Sequence, residues 1–376
     1  MFSVLAFLLI LSVLVLLHEL GHYVVARLCG VRAYEFGFGF PPRAIGFVRV
    51  NGAWKRVRRT DRTLYENTIW SVNWLPLGGF VRLKGEAGED AHDGDSLTAQ
   101  SGWKKFAVLA AGVTMNWLLA VAIFSAGFFV GVPALTQGLP SSALITNRHI
   151  EVTEVLAGSA SAQAGIETGD TLRSINGNLV TSAQDALSVL SSHTNPDQAV
   201  TFGITGEKGD RFLQIKPAYV EALKRAGFGI AIDDIGTVRF SGVEAIGQGI
   251  LVSAKYTWLI VTGFFGLIRD LVLGHGPSAD LSGPVGIAVM TGGIVKQGWW
   301  ATFQFMAVLS LNLAVINFLP IPALDGGRAV FVIMEAVRRK KANAHLEALV
   351  HQWGMVALLI LVALVTINDI RRYFLH

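Results

Sequence analysis

Four stretches of this chain, residues 2–28, 106–132, 300–319 and 353–370, are long and apolar enough to cross a bilayer. About 20 helical residues span the ~30 Å of hydrocarbon. No water is present there to complete backbone hydrogen bonds, so each continuous apolar stretch has to be a helix. Composition agrees. Charged residues make up 15% of the 376 and apolar residues 52%, against roughly 25% charged in soluble domains. The basic residues crowd the ends of the apolar stretches instead of forming a stripe, which encodes membrane topology and excludes nucleic acid as a partner. The first stretch lacks a basic start and a small-residue cleavage site, so it is expected to be retained as a span. The single cysteine, Cys29, excludes an internal disulfide and reads as a small buried residue.

Lysine and arginine set the orientation. Lys55, Arg56, Arg58, Arg59, Arg62, Arg82, Lys84 and Lys104 place the segment after the first span in the cytoplasm. Arg328, Arg338, Arg339, Lys340 and Lys341 do the same between the third and fourth spans. The N-terminus and the long section between the second and third spans are then outside. Arg371 and Arg372, at the outer C-terminus, run against this rule. A fifth apolar stretch, 246–273, carries Gln248, Lys255, Arg269 and Asp270. A further crossing would put the two basic loops on opposite sides, so this stretch is expected to lie in the interface or against the bundle.

Two other regions are not simple spans. From Tyr34 to Lys84, β-branched and aromatic residues alternate with turn signals such as Asn51-Gly52, which predicts strands and hairpins on the cytoplasmic side of the membrane. Residues 148–218 read as a small α/β module, with a strand near Ile150, a turn at Asn176-Gly177 and a helix near Ala183. The expected fold is a polytopic helical membrane protein with a membrane-associated β region and one external α/β domain. Its segments are 1–28, 29–104, 105–133, 148–218, 219–298, 299–327 and 353–371.

The chemistry is concentrated at His18-Glu19-Leu20-Gly21-His22. Residues i and i+4 share a helix face, so both imidazoles can reach one metal. Glu19 is rotated about 100° from His18, which suits its carboxylate to a water beside that metal. Catalytic zinc takes three protein ligands and lowers the pKa of a water to about 7. Glu19 then serves as general base. Chance is a poor explanation, because ionisable residues inside a span cost about 2.5–3.5 kcal/mol each on insertion scales. Two histidines leave one ligand to find. Asp325, at the expected end of the third span, lies on the cytoplasmic side. So does His18, about 27 Å of helix from the N-terminus at ~1.5 Å per residue. Pro320, Pro322 and Gly326-Gly327 break the helix there, as happens where backbone lines a cavity.

The pairing of His-Glu-x-x-His with Asn317-Phe318-Leu319-Pro320-Ile321-Pro322-Ala323-Leu324-Asp325-Gly326 resembles the site-2 protease signature. It is closest to the bacterial metalloproteases of regulated intramembrane proteolysis that carry a PDZ domain. Phe36-Gly37-Phe38-Gly39-Phe40 and Pro76-Leu77-Gly78-Gly79-Phe80-Val81-Arg82 look like that family's β region. Ala111-Gly112-Val113-Thr114-Met115-Asn116 looks like its second-helix motif, and Ser282-Gly283-Pro284-Val285-Gly286-Ile287 like the segment before its third helix. The resemblance implies His18, His22 and Asp325 as zinc ligands, Glu19 as the catalytic residue and Asn317 as a substrate-backbone contact. It also implies a multi-pass protein of the bacterial inner membrane that cuts transmembrane substrates such as anti-sigma factors or remnant signal peptides. Its external PDZ-like module would take a peptide ligand by strand addition.

Cutting inside a helix requires unwinding it, and each freed backbone group in lipid needs a partner. The edge at Gly79, Phe80 and Val81 is the expected partner by strand addition. Two other readings compete, a membrane metal transporter and an inactive adaptor. A transporter has no need of Glu19 beside the metal. An adaptor would be expected to have lost one of His18, Glu19, His22 and Asp325.

Overall fold

The computed structural model describes residues 2–374 apart from 62, 87–92, 194, 196, 207, 222–223, 275–281 and 341–342. Arg62 and Lys341, counted above in the basic loops, lie outside the described residues. The chain forms two compact units, one of Met1–Ser125 with Ile246–His376 and the other of Ala126–Ala245.

The first unit begins with helix α1 (Phe2–Leu28). Ile10, Leu14, His18, His22 and Ala26 are all buried, at a spacing of four, so one stripe of α1 faces protein. Phe2, Leu5 and Leu9 stay exposed, as lipid-facing residues should. The two histidines therefore continue an apolar packing stripe. Strands β1 (Ala33–Val50), β2 (Ala53–Val57) and β3 (Ile69–Leu83) follow, ordered β2-β1-β3. Asn51 and Gly52 both have positive φ, 49° and 85°, the two-residue turn that pairs Val50 with Ala53. β1 and β3 bend, so Phe36–Phe38 face Trp70–Val72 on one side and Val81–Gly79 on the other. Glu35 and Arg43 form a buried bidentate ion pair that ties the bend in β1. Ala26, Val31, Ala33, Leu83 and Val108 form one core that joins α1, the sheet and helix α2 (Gly102–Val130). Cys29 packs half-buried at its margin.

The second unit holds β4 (Val132–Leu135), β5 (Leu144–Val155), α3 (Ala160–Gln163), β6 (Thr171–Ile175), β7 (Asn178–Leu179) and α4 (Ala183–Ser192). It continues through β8 (Val200–Gly206), β9 (Gly209–Ile215), the small ribbon β10 (Ala218–Val220) and β11 (Arg225–Gly227), and β12 (Ile230–Arg239). The main sheet runs β4-β12-β5-β6-β8-β9, with β7 on β6. Ser182 caps α4 by accepting from the Asp185 N–H. This unit is wider than the 148–218 segment read from sequence. β12 pairs with β5 along its length, and Phe228 and Ile232 belong to the same core as Val152 and Phe202.

The chain returns to the first unit through α5 (Gly242–Val272), a single helix that runs unbroken past Gln248, Lys255, Arg269 and Asp270. It lies against α2. A Cβ on Gly249 would fall 2.1 Å from Ser125 Oγ, and the rings of Phe124 and Tyr256 stack at 5.7 Å. Helices α6 (Pro284–Lys296), α7 (Trp299–Phe318), α8 (Asp325–Arg338) and α9 (Ala344–Phe374) complete the unit. Asp369 of α9 is buried and accepts from the Gly283 and Gly286 N–H groups at 3.2 and 2.7 Å, which caps α6. Five of the described helices, α1, α2, α5, α7 and α9, are long and apolar enough to cross a membrane.

Segment 299–327 is not one helix. α7 stops at Phe318, and Asp325, expected to end that span, instead opens α8. The glycines after it allow the sharp return. A Cβ on Gly326 would meet the Leu319 carbonyl oxygen at 2.2 Å, and one on Gly327 the Ile321 oxygen at 2.3 Å. α9 braces the loop between the helices, because His351 Nδ1 accepts from the Ala323 N–H at 2.9 Å.

Candidate active site

The spacing of four on α1 places His18 Nε2 and His22 Nε2 3.2 Å apart. The break after α7 brings Asp325 Oδ2 to 3.0 Å from the first and 3.2 Å from the second. Three residues separated by up to 307 positions thus converge on one point. Two imidazole nitrogens and a carboxylate oxygen are all electron-pair donors toward that point, so they repel unless a cation or a proton lies among them. Their separations match the roughly 3.3 Å edge of a tetrahedron with ~2.0–2.1 Å bonds, the geometry of zinc bound by nitrogen and oxygen. The residues fit a zinc ion.

Surrounding groups orient the imidazoles. His22 Nδ1 lies 2.7 Å from the Val108 carbonyl oxygen, which can only accept, so Nδ1 carries the proton and Nε2 keeps its lone pair for the cluster. Asn116 on α2, wholly buried, meets His18 Nδ1 at 3.3 Å. Gly112 forms the floor beneath both rings. A Cβ there would lie 2.4 Å from His22 Nε2 and 2.6 Å from His18 Cε1. Gly21 permits this approach, since a Cβ on it would strike the Ala111 carbonyl oxygen at 2.4 Å. Gly112, Asn116 and the Val108 carbonyl lie against the two imidazoles, and no local spacing in the sequence marks them. The only advance signal was the Ala111–Asn116 motif, quoted for its resemblance and given no role.

Glu19 shares a small cavity with His22 and Asp325, walled by Val81 and Leu83. Its Oε2 accepts from the Val81 N–H at 3.2 Å. That arm of β3 runs along α1, where a Cβ on Gly79 would fall 3.1 Å from Leu16 Cα. Phe80 points elsewhere, its ring lying over Gly37. Arg328 and Glu86, paired at 2.7 Å, line the same cavity. Asn317 is half-buried in the last turn of α7 and lies outside the three-residue cluster. The structure therefore brings His18, Glu19, His22, Asp325 and Val81 to one place.

A family model described as Peptidase family M50 matches residues 6–361 of the chain. A candidate zinc metalloprotease of Agrobacterium fabrum is 31% identical, over 97% of this chain and 94% of its own length. The regulator of sigma-W protease RasP of Bacillus subtilis is 28% identical over 99% of both chains. Among solved structures, the PDZ domain of an SdrC-like protein from Listeria innocua is 20% identical over 22% of this chain and 92% of its own, with a TM-score of 0.20.

Proposed function

This chain belongs to peptidase family M50, and from that premise we propose that His18, His22 and Asp325 hold its zinc ion while Glu19 is the general base. It is an integral membrane zinc metalloprotease of regulated intramembrane proteolysis. The observation that carries the assignment is the convergence of the three donor atoms within 3.2 Å, with Glu19 on the same cavity. When bound, zinc supplies a Lewis acid and lowers the pKa of a water to about 7. Glu19 would take a proton from the attacking water and return it to the leaving amine nitrogen. The Val81 N–H holds the Glu19 carboxylate in place, and the Val108 carbonyl keeps His22 in its ligating tautomer. A transporter would not need a carboxylate poised this way, and an inactive adaptor would not need to keep all four residues.

The substrates are membrane proteins, cut within or beside a transmembrane segment. The name of the Bacillus subtilis relative supports anti-sigma factors as one class, and remnant signal peptides are the other. The edge at Gly79–Val81 receives the unwound substrate strand, and Asn317 contacts its backbone. The location is the bacterial inner membrane, with the N-terminus and the PDZ-like second unit outside, as the distribution of lysine and arginine supports. α5 packs against α2 without crossing, which keeps both basic loops on one side. The PDZ-like unit binds a peptide.

The test is Glu19→Gln in purified full-length protein. Zinc content should stay near one per chain while cleavage of a transmembrane substrate falls by about 10²–10⁴-fold, the usual worth of a positioned base. His22→Ala and Asp325→Ala should lose zinc as well. Appreciable turnover by zinc-loaded Glu19→Gln protein would overturn the assignment.

A further inference from the structure

Each ligating histidine needs something at its other ring nitrogen. His22 has the Val108 carbonyl. At His18 the group in that position is the side-chain amide of Asn116, 3.3 Å from Nδ1 and fully buried. We propose that Asn116 is a positioning residue of the metal centre, its amide oxygen accepting the His18 Nδ1 proton and thereby reserving Nε2 for zinc. The inference rests on the assignment of His18 as a ligand.

A neutral imidazole carries one N–H, so a histidine that ligates through Nε2 is protonated at Nδ1. In a buried setting that N–H requires an acceptor. An asparagine amide offers either an oxygen or a nitrogen on rotation by 180°, and hydrogen-bond partners decide which. With the nitrogen facing Nδ1, Asn116 Oδ1 is buried and has no partner. With the oxygen facing Nδ1, Oδ1 gains a partner and accepts the His18 proton, and the amide nitrogen takes the position on the far side. The nitrogen-facing arrangement instead donates to Nδ1 and forces the proton onto Nε2, the tautomer that cannot bind metal. Asn116 is thus placed to decide which tautomer His18 holds.

Its position is fixed from two directions. Ser310 of α7 donates to the Asn116 carbonyl oxygen at 2.8 Å, tying a third helix to this turn. One turn earlier, Gly112 lets α2 lie directly under both imidazoles. The amide is therefore held at the height of the His18 ring, and second-layer partners of this kind set both ring orientation and ligand basicity.

Zinc affinity of the purified full-length protein, measured by competition with a chelator, tests this without reference to catalysis. Asn116→Leu, similar in volume but with no acceptor, should weaken zinc binding by about 10–100-fold. Asn116→Asp, an acceptor only, should stay close to the parent. Ser310→Ala, which loosens this turn but leaves the amide in place, should weaken zinc binding less than Asn116→Leu does. Parent-like zinc binding by Asn116→Leu would overturn the proposal. So would a loss of about 10-fold or more in Asn116→Asp, and that arm decides alone if the leucine variant does not fold. Parent-like binding by His18→Ala would instead show that the ligand assignment itself is wrong.

Discussion

The main-chain N–H of Val81 donates to Oε2 of Glu19 across 3.2 Å. The edge expected to receive substrate is therefore also the anchor of the carboxylate beside the metal cluster. Phe36–Phe38 pair with the Gly79–Val81 arm from its other side, which leaves this edge turned toward α1. A strand that adds here competes with, or shares, the donor that holds Glu19.

Proline at position 81 removes that donor, whereas alanine removes only side-chain atoms. Val81→Pro should therefore reduce cleavage of a transmembrane substrate by about 10²-fold, the scale of a 1 Å misplacement at a catalytic group. Val81→Ala should be mild, and zinc content should be unchanged in both. A substrate loosened by glycine or proline near its scissile bond should recover only in part, because the anchor of Glu19 is lost for every substrate. Equal activity of the two variants would remove both roles from this edge.

The extent of α1 and its two histidines was legible because a long apolar run and a spacing of four are local signals. Asp325 came into view through topology, which puts the end of the third span on the same side as His18, and the resemblance made it a ligand. α8 went unread because Asp325-Gly326-Gly327 looks like a loop. The glycines are there for close approach to the carbonyls of Leu319 and Ile321, which only the folded chain reveals. The support of the histidines by Gly112 and Asn116 is likewise a property of the α1–α2 crossing. β12 was missed for a related reason. Its partner β5 lies about 80 residues earlier, and a strand's own residues do not name its neighbour. The Ser282–Ile287 motif now has a physical account: Gly283 and Gly286 make room for the Asp369 carboxylate, which a Cβ on either would approach within 3.3 Å.

Orientation in the membrane is open to direct measurement. Ser192, at the end of α4, and Thr63, between β2 and β3, are both exposed. In a Cys29→Ser background, cysteine at Ser192 should react with an impermeant thiol reagent in intact cells. Cysteine at Thr63 should react only after permeabilisation. The reverse pattern would invert the orientation argued from the basic loops.

The second unit should be dispensable for the chemistry, provided that it is removed whole. His18, Glu19, His22 and Asp325 all belong to the first unit, so none of them is lost with it. Excision of residues 148–218 would leave β12 without β5 and expose Phe228 and Ile232, and that variant should misfold. The pairing of Val132 with Val238 offers a better cut, because the chain enters and leaves the unit on adjacent strands. Neighbouring strands lie about 5 Å apart, a gap that a two-residue turn closes. Below that pair, the Phe240 N–H donates to the Phe128 carbonyl at 2.9 Å and would hold the joint. Replacing residues 132–238 with a short glycine-rich turn should therefore retain zinc and cleave a substrate already trimmed of its external domain. Some cleavage of an untrimmed substrate should appear as well, if the folded unit normally limits access. Loss of activity on the trimmed substrate, in a variant that still binds zinc, would make the unit a required docking site instead.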